Sequence, residues 1–150
     1  MDIENKVKQA LLDHDNGFNC AQSVIRQFAE DFGLLKETAT LIASGFGGGM
    51  SCGKTCGALT GAIMVLGLAT GYFNPEDLEL KDRHKSLVAS FINEFDAAHG
   101  NINCYDLIGL DLSIPGNRDK AIEQGLFDAR CPNYIAHCVL GVDKIIKEHS

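Results

Sequence analysis

Four of the six cysteines in this chain coincide with signals for the start of a helix. Asn19 precedes Cys20, Thr55 precedes Cys56, Asn103 precedes Cys104, and Pro132 follows Cys131. Asn and Thr side chains accept from the free N–H groups at a helix start, and proline suits the first turn, where its missing N–H costs nothing. A thiol placed there faces the positive end of the helix dipole. The pattern therefore predicts lowered thiol pKa values and readiness for disulfide exchange or metal ligation. It does not choose between the two.

Converging at one end of a helical domain, four thiolates can hold zinc or an iron–sulfur cluster, and two or three can run thiol–disulfide exchange. The separations of roughly 30 to 50 residues differ from the local Cys-x-x-Cys knuckles of structural zinc sites, which favours redox or cluster chemistry over a zinc staple. Cys52, four residues before Cys56 in a glycine-rich segment, can swing onto that thiol as a resolving partner or extra ligand, or be incidental. Cys138 lies on an apolar stripe with Tyr134, Ile135, Val142 and Ile145 and reads as core packing. It is two helical turns from Cys131, roughly 10 Å along an intact helix and beyond disulfide reach. The histidines show no metal spacing. His14 and His149 read as solvated helix ends, and His99 as a cation complementing a helix C-terminus. His84 and His137 fall on or beside apolar stripes and read as hydrogen-bonded structure more readily than as a base or ligand.

The elements that must position these thiols are helical. Apolar residues recur at helical spacing along the chain, with no sustained period-two run and no Asn-Gly hairpin signal, so the fold is expected to be all-α. Ile3, Val7 and Leu11 mark a first helix ending at His14 to Gly17, and Ala21, Val24, Ile25, Phe28 and Phe32 a second, closed by Gly33. Leu35, Ala39 and Ile42 mark a short third, running into the glycine-rich loop from Gly45 to Gly53. The stretch from Cys56 to about Thr70 is apolar all round and predicts the central helix of the bundle. Its small residues Gly57 and Gly61, with Ala58 and Ala62, allow another backbone to approach closely. Pro75 opens the longest helix, with a stripe from Leu80 to Ala98 and a stop at Gly100. Shorter helices follow over Asn103 to Leu110 and Arg118 to Phe127, and a last one from Pro132 to Lys147. This gives about six to eight helices in one domain, residues 1–150.

Composition narrows the function. The 150 residues, 45% of them hydrophobic, suffice for an ordinary core without disulfides. A net charge of −7 and the absence of a basic stripe exclude a nucleic-acid surface. The uncharged run from Cys56 to Phe73 touches the lower limit of about 18 residues for a membrane span, but it holds four glycines and lacks basic anchors, so no membrane insertion is expected. The polar N-terminus carries no secretory signal pattern, which points to the cytoplasm, where clustered cysteines more often bind metal or catalyse than form structural disulfides.

One motif misleads. Gly48-Gly49-Met50-Ser51-Cys52-Gly53-Lys54-Thr55 matches the Gly-x4-Gly-Lys-Thr phosphate loop, and Leu107 to Asp111 imitates the apolar run ending in a metal-binding Asp. A true phosphate loop follows a buried strand of a parallel sheet, and Thr38 to Ser44 reads as helix. Nucleotide binding is not expected.

Laid out in order, the chain resembles a family of redox-active proteins named for a spaced pattern of one Cys, a Cys-Gly-Ala-x-x-Gly unit and two further Cys. The matching pieces are Asn19-Cys20-Ala21-Gln22-Ser23-Val24, Ala43 to Met50, Thr55-Cys56-Gly57-Ala58-Leu59-Thr60-Gly61-Ala62, Asn103-Cys104-Tyr105-Asp106-Leu107-Ile108-Gly109 and Arg130-Cys131-Pro132. The resemblance covers nearly the whole chain and implies that Cys20, Cys56, Cys104 and Cys131 are the signature cysteines. The expectation is a cysteine cluster for thiol–disulfide or electron-transfer chemistry, as in a thiol-dependent oxidoreductase, with an unidentified redox partner. One alternative is a non-enzymatic module binding a metal ion or iron–sulfur cluster through the same cysteines, and Cys52 is a further ligand candidate. Another is a structural or partner-binding bundle with inert thiols. A homo-oligomer is compatible with each.

Overall fold

The computed structural model describes residues 2–149. Helix α1 (Ile3–Asp15) is capped by Asp2, whose side chain accepts from Asn5 N at 2.9 Å. It is followed by α2 (Cys20–Ile25), a 3-10 turn (Ala29–Phe32), α3 (Lys36–Ile42) and a wide turn (Gly49–Gly53). Then come α4 (Gly57–Thr70), α5 (Leu78–His99), α6 (Cys104–Ile108), α7 (Asn117–Glu123) and α8 (Leu126–Glu148). No strand occurs among the described residues, only an isolated antiparallel bridge between Thr55 and Asn103. The fold is all-α, as the periodicity requires.

The apolar helix α4 is the centre: α2, α5 and α8 pack against it, while α1 packs on α2 and α8. Leu59, Val65 and Leu66 of α4 meet Val24, Phe28, Phe91, Phe95, Ile135, Val139 and Val142 in one buried cluster. The small residues of α4 allow the close approach expected of them. A methyl group on Gly61 would lie 2.7 Å from the carbonyl oxygen of Ala21, and one on Gly57 3.3 Å from its nitrogen. The backbone of α2 therefore lies against that of α4.

A buried polar network ties α1 to α2. The Asp13 carboxylate accepts from Arg26 Nε at 3.1 Å, Gln27 Nε2 at 2.8 Å and Gln9 Nε2 at 3.0 Å. Lys6 is 7% exposed and donates to Gln27 O at 2.6 Å and Asp31 Oδ2 at 2.7 Å. This network also corrects the second helix, which was expected to run unbroken to Gly33. The Gln27 side chain donates to Ser23 O at 3.0 Å, occupying the carbonyl that its own backbone N–H would take in an α-helix. The chain tightens instead, with Gln27 N bonded to Val24 O and Phe28 N to Ile25 O.

Three other boundaries differ from expectation. Asp77, not Pro75, caps α5, its side chain accepting from Leu80 N at 3.1 Å. The longest helix is α8 with 23 residues against 22 for α5. Gly125, with φ of 66°, ends the preceding segment before Phe127 and lets α8 begin at Leu126, so Pro132 sits inside that helix. A proline there deprives the Asp128 carbonyl of its intrahelical donor, a cost the tertiary packing of α8 absorbs.

Candidate functional site

Each signature cysteine is delivered by its own local device. At Cys20 a reciprocal cap operates: Gln22 N donates to Asn19 Oδ1 at 2.8 Å and Asn19 N to Gln22 Oε1 at 3.0 Å. The Asn19 amide also donates to the carbonyls of Ala43 and Ser44, both at 3.2 Å, which fixes the start of α2 against the end of α3. Cys56 and Cys104 are held side by side by the Thr55–Asn103 bridge: Cys56 N donates to Ile102 O at 2.7 Å, and Cys104 N to Lys54 O at 2.5 Å. Cys131 rides on α8, clamped to α6 by Arg130 Nη1 and Tyr134 Oη, which donate to Leu107 O at 3.3 and 3.1 Å.

These four segments meet. Cys20, Cys56, Cys104 and Cys131 line one cavity of about 10 Å³, closed by Gly48, Gly57, Leu107, Ile108, Phe127 and Tyr134. Cys56, Cys104 and Cys131 are buried and Cys20 half-buried, and all are free thiols. The sulfurs of Cys20 and Cys131 and a ring nitrogen of His14 lie within 4.8 Å of one another. Cys20, Gly48 and Phe127 also border an open cleft of about 270 Å³, whose walls include His14, Asn19, Ser51, Arg118 and Asp128.

The wall between cavity and cleft is a left-handed turn. Gly48, Gly49, Met50 and Ser51 have φ of 62°, 63°, 60° and 59°. Glycine meets this without penalty, whereas Met50 and Ser51 carry strain of about 1–2 kcal/mol each. Gly49 is also required sterically, since a methyl group on it would lie 2.5 Å from Lys54 N and 2.8 Å from Cys104 Cβ.

Burial overturns the expected acidity of Cys56 and Cys104. Cys56 is pushed up to about 12, chiefly by burial and further by Cys20, while the N–H groups of Leu59 and Ala58 pull it down. The helix-start effect is present and loses to desolvation. Cys104 is likewise pushed up to about 12 by burial, then by Cys56 and Cys20, with Arg118 opposing. Cys20 is raised by its hydrogen bond with Cys131 and by burial, with His14 opposing. His14 in turn is raised mainly by its hydrogen bond to Cys20, burial opposing, with Asp128 and Asp15 adding.

One of the four helix-start assignments needs correction. Cys20 and Cys104 are the first residues of α2 and α6 and Cys56 is the cap residue of α4, but Cys131 lies beyond the first turn of α8. Cys52 donates to Gly49 O at 3.4 Å and does not line the cysteine cavity. Cys138 is fully buried in the core. The Gly-Lys-Thr segment follows α3 rather than a strand, and its glycines wind left-handed beside the cysteines. His84 bonds Thr70 Oγ1 at 3.1 Å, and His137 makes edge contacts with the rings of Phe91, Phe95 and His99. His14 was read as solvated and is instead a neighbour of two cysteines. The only sequence cue was its place six residues before Cys20 across the Gly17 turn.

The fold and this cavity define an all-α protein with a four-cysteine pocket between its central and flanking helices. The sequence model of the family described as "Putative redox-active protein (C_GCAxxG_C_C)" matches residues 18–145, and the chain belongs to that family. No curated protein and no solved structure matches it. Among the described residues, no helix is long and apolar enough to cross a membrane.

Proposed function

We propose that the chain is a small electron-transfer protein in which Cys20, Cys56, Cys104 and Cys131 act together as the ligand set of a redox-active metal centre. The observation that carries this is the convergence of the four thiols, from four separate segments, on one closed cavity. Thiols pushed up to about 12 by burial are poor free nucleophiles. Three buried thiolates beside a half-buried fourth are costly to hold unless a cation compensates them. A bound cation would deprotonate the coordinating thiols and supply one-electron chemistry. A cavity of about 10 Å³ has the room of one atom-sized guest. Among the described residues only His14, Cys20 and Cys131 bring ligand atoms within 4.8 Å of one another, so a single ion held by all four thiols requires Cys56 and Cys104 to move toward it, and an iron–sulfur cluster requires the walls to part.

A second reading, a Cys20–Cys131 dithiol–disulfide couple, is favoured by the proximity of their sulfurs. Oxidation would form the S–S bond and release two electrons to a partner redox protein and two protons to solvent. In either reading the chain works as one domain in a reducing cytoplasm, where cysteines serve metal binding or catalysis more often than structural disulfides.

The test is anaerobic purification followed by metal analysis, absorption and electron paramagnetic resonance before and after reduction. Bound iron or another metal, lost on replacing each signature cysteine by serine, is the expected result. Metal-free protein carrying a reversible Cys20–Cys131 disulfide would establish the second reading instead.

A further inference from the structure

His14 lies outside the stretch of residues 18–145 matched by the family, yet its ring touches the cysteine centre. We infer that His14, Cys20 and Cys131 form a mixed nitrogen–sulfur ligand set for one divalent transition-metal ion. The inference shares Cys20 and Cys131 with the proposal above and rests on their assignment as ligands.

Three features carry it. The three donor atoms lie within 4.8 Å of one another. A tetrahedral ion at about 2.3 Å from sulfur and about 2.0 Å from nitrogen holds its donors roughly 3.5–3.8 Å apart, so they need close by only about an ångström. The donors are also soft or borderline, as late first-row divalent ions prefer. Finally, the donors come from rigid supports. His14 is in the last turn of α1, anchored next door by the buried Asp13–Arg26 pair; Cys20 begins the doubly capped α2; and Cys131 is inside α8.

The position has a chemical consequence. His14 and Cys20 both line the open cleft, whereas Cys131 faces the closed cavity. An ion held by the three sits at the cleft floor, where a water or small solute reaches it past Arg118 and Ser51. Cys56 and Cys104 have no lining in that cleft. Cys20 thus borders both spaces, the cleft that carries His14 and the cavity whose Cys56 and Cys104 are held by the Thr55–Asn103 bridge.

The experiment uses reduced, metal-free full-length protein titrated anaerobically with cobalt(II) as a spectroscopic probe. The parent is expected to bind one equivalent with thiolate-to-cobalt charge-transfer bands. His14→Ala should weaken binding by at least about 100-fold, beyond the ~10–100-fold cost of losing an outer-shell partner. His14→Cys should restore binding and strengthen the charge-transfer bands as the thiolates rise from two to three, which a merely structural role would not produce. Loss of binding in His14→Ala without rescue by His14→Cys would overturn the inference. Parent-like binding in His14→Ala, abolished instead by Cys56→Ser or Cys104→Ser, would overturn it while leaving the four-cysteine proposal standing. No cobalt binding by the parent at all would remove both.

Discussion

Gly57 of α4 passes so close to Cys20 of α2 that a methyl group added to it would lie 3.2 Å from the Cβ of Cys20 and 2.9 Å from the carbonyl oxygen of Phe46. The glycines of the Cys-Gly-Ala-x-x-Gly unit are therefore spacers that bring one cysteine helix against another. Gly61→Ala would meet the Ala21 backbone and should destabilise the protein by about 1–3 kcal/mol, the usual cost of overpacking. Gly57→Ala should cost a similar amount and also displace Cys20. Denaturant melts give the first quantity. Metal content or disulfide formation gives the second, which Gly61→Ala should disturb less.

The raised thiols predict a loss of stability in alkali. In metal-free reduced protein, Cys56 and Cys104 have folded pKa values of about 12 against an ordinary 9.0. Between those values the unfolded chain releases protons that the native chain keeps, so stability is full below 9 and falls as pH rises toward 12. The melting temperature should drop over this window, and the drop should flatten in Cys56→Ser/Cys104→Ser. A parallel slope in that variant would rule out the burial argument. In the same protein Cys52, half-buried and outside the lining of the other thiols' cavity, should be alkylated before Cys56, Cys104 and Cys138.

Asp13 holds the end of α1 against α2, and with it His14 against Cys20. Asp13→Ala leaves the Arg26 guanidinium and the Gln27 amide without their buried acceptor and should cost roughly 3 kcal/mol. Arg26 retains Thr40 Oγ1 at 3.0 Å and the Phe18 ring at 3.9 Å, which sets this at the low end for a broken buried pair. A change below about 1 kcal/mol, the range of exposed pairs, would mean that the network is not structural.

His99 sits among Phe95, Tyr134 and His137, with ring centroids 4.6, 5.0 and 4.7 Å away, and its Nε2 is buried without a partner. Burial, then the neighbouring His137, holds it below its ordinary value of 6.5. Below pH 6.5 the unfolded chain takes up a proton that the native ring refuses, so stability falls as pH drops through that value. His99→Phe keeps the aromatic contacts and should flatten the acid limb of a melting-temperature profile without loss near neutrality.

The helical class, the central place of α4 and the cysteines worth attention were legible because each leaves a local trace: helical periodicity, an apolar surface all round, an Asn before a Cys. The close packing on Gly57 and Gly61 was legible for the same reason. The thiol acidities were not, since the helix-start N–H groups near Cys56 are visible in sequence while the burial that outweighs them is not. His14 was missed because its partners lie across the Gly17 turn and at the far end of the chain. The start of α8 was misplaced because Pro132 carries a strong start signal that tertiary packing overrides.

The cavity takes its walls from both ends of the polypeptide, and this bears on how the protein is made. Cys131 is 111 residues after Cys20, so at the usual ~5–20 residues per second the first thiol leaves synthesis about 5–20 s before the last. During that interval Cys20 and Cys56 lack the α8 wall that shields them in the finished molecule. Newborn chains are thus the form most open to oxidants and stray metals, and the order of translation, rather than the folded structure, sets how long that exposure lasts.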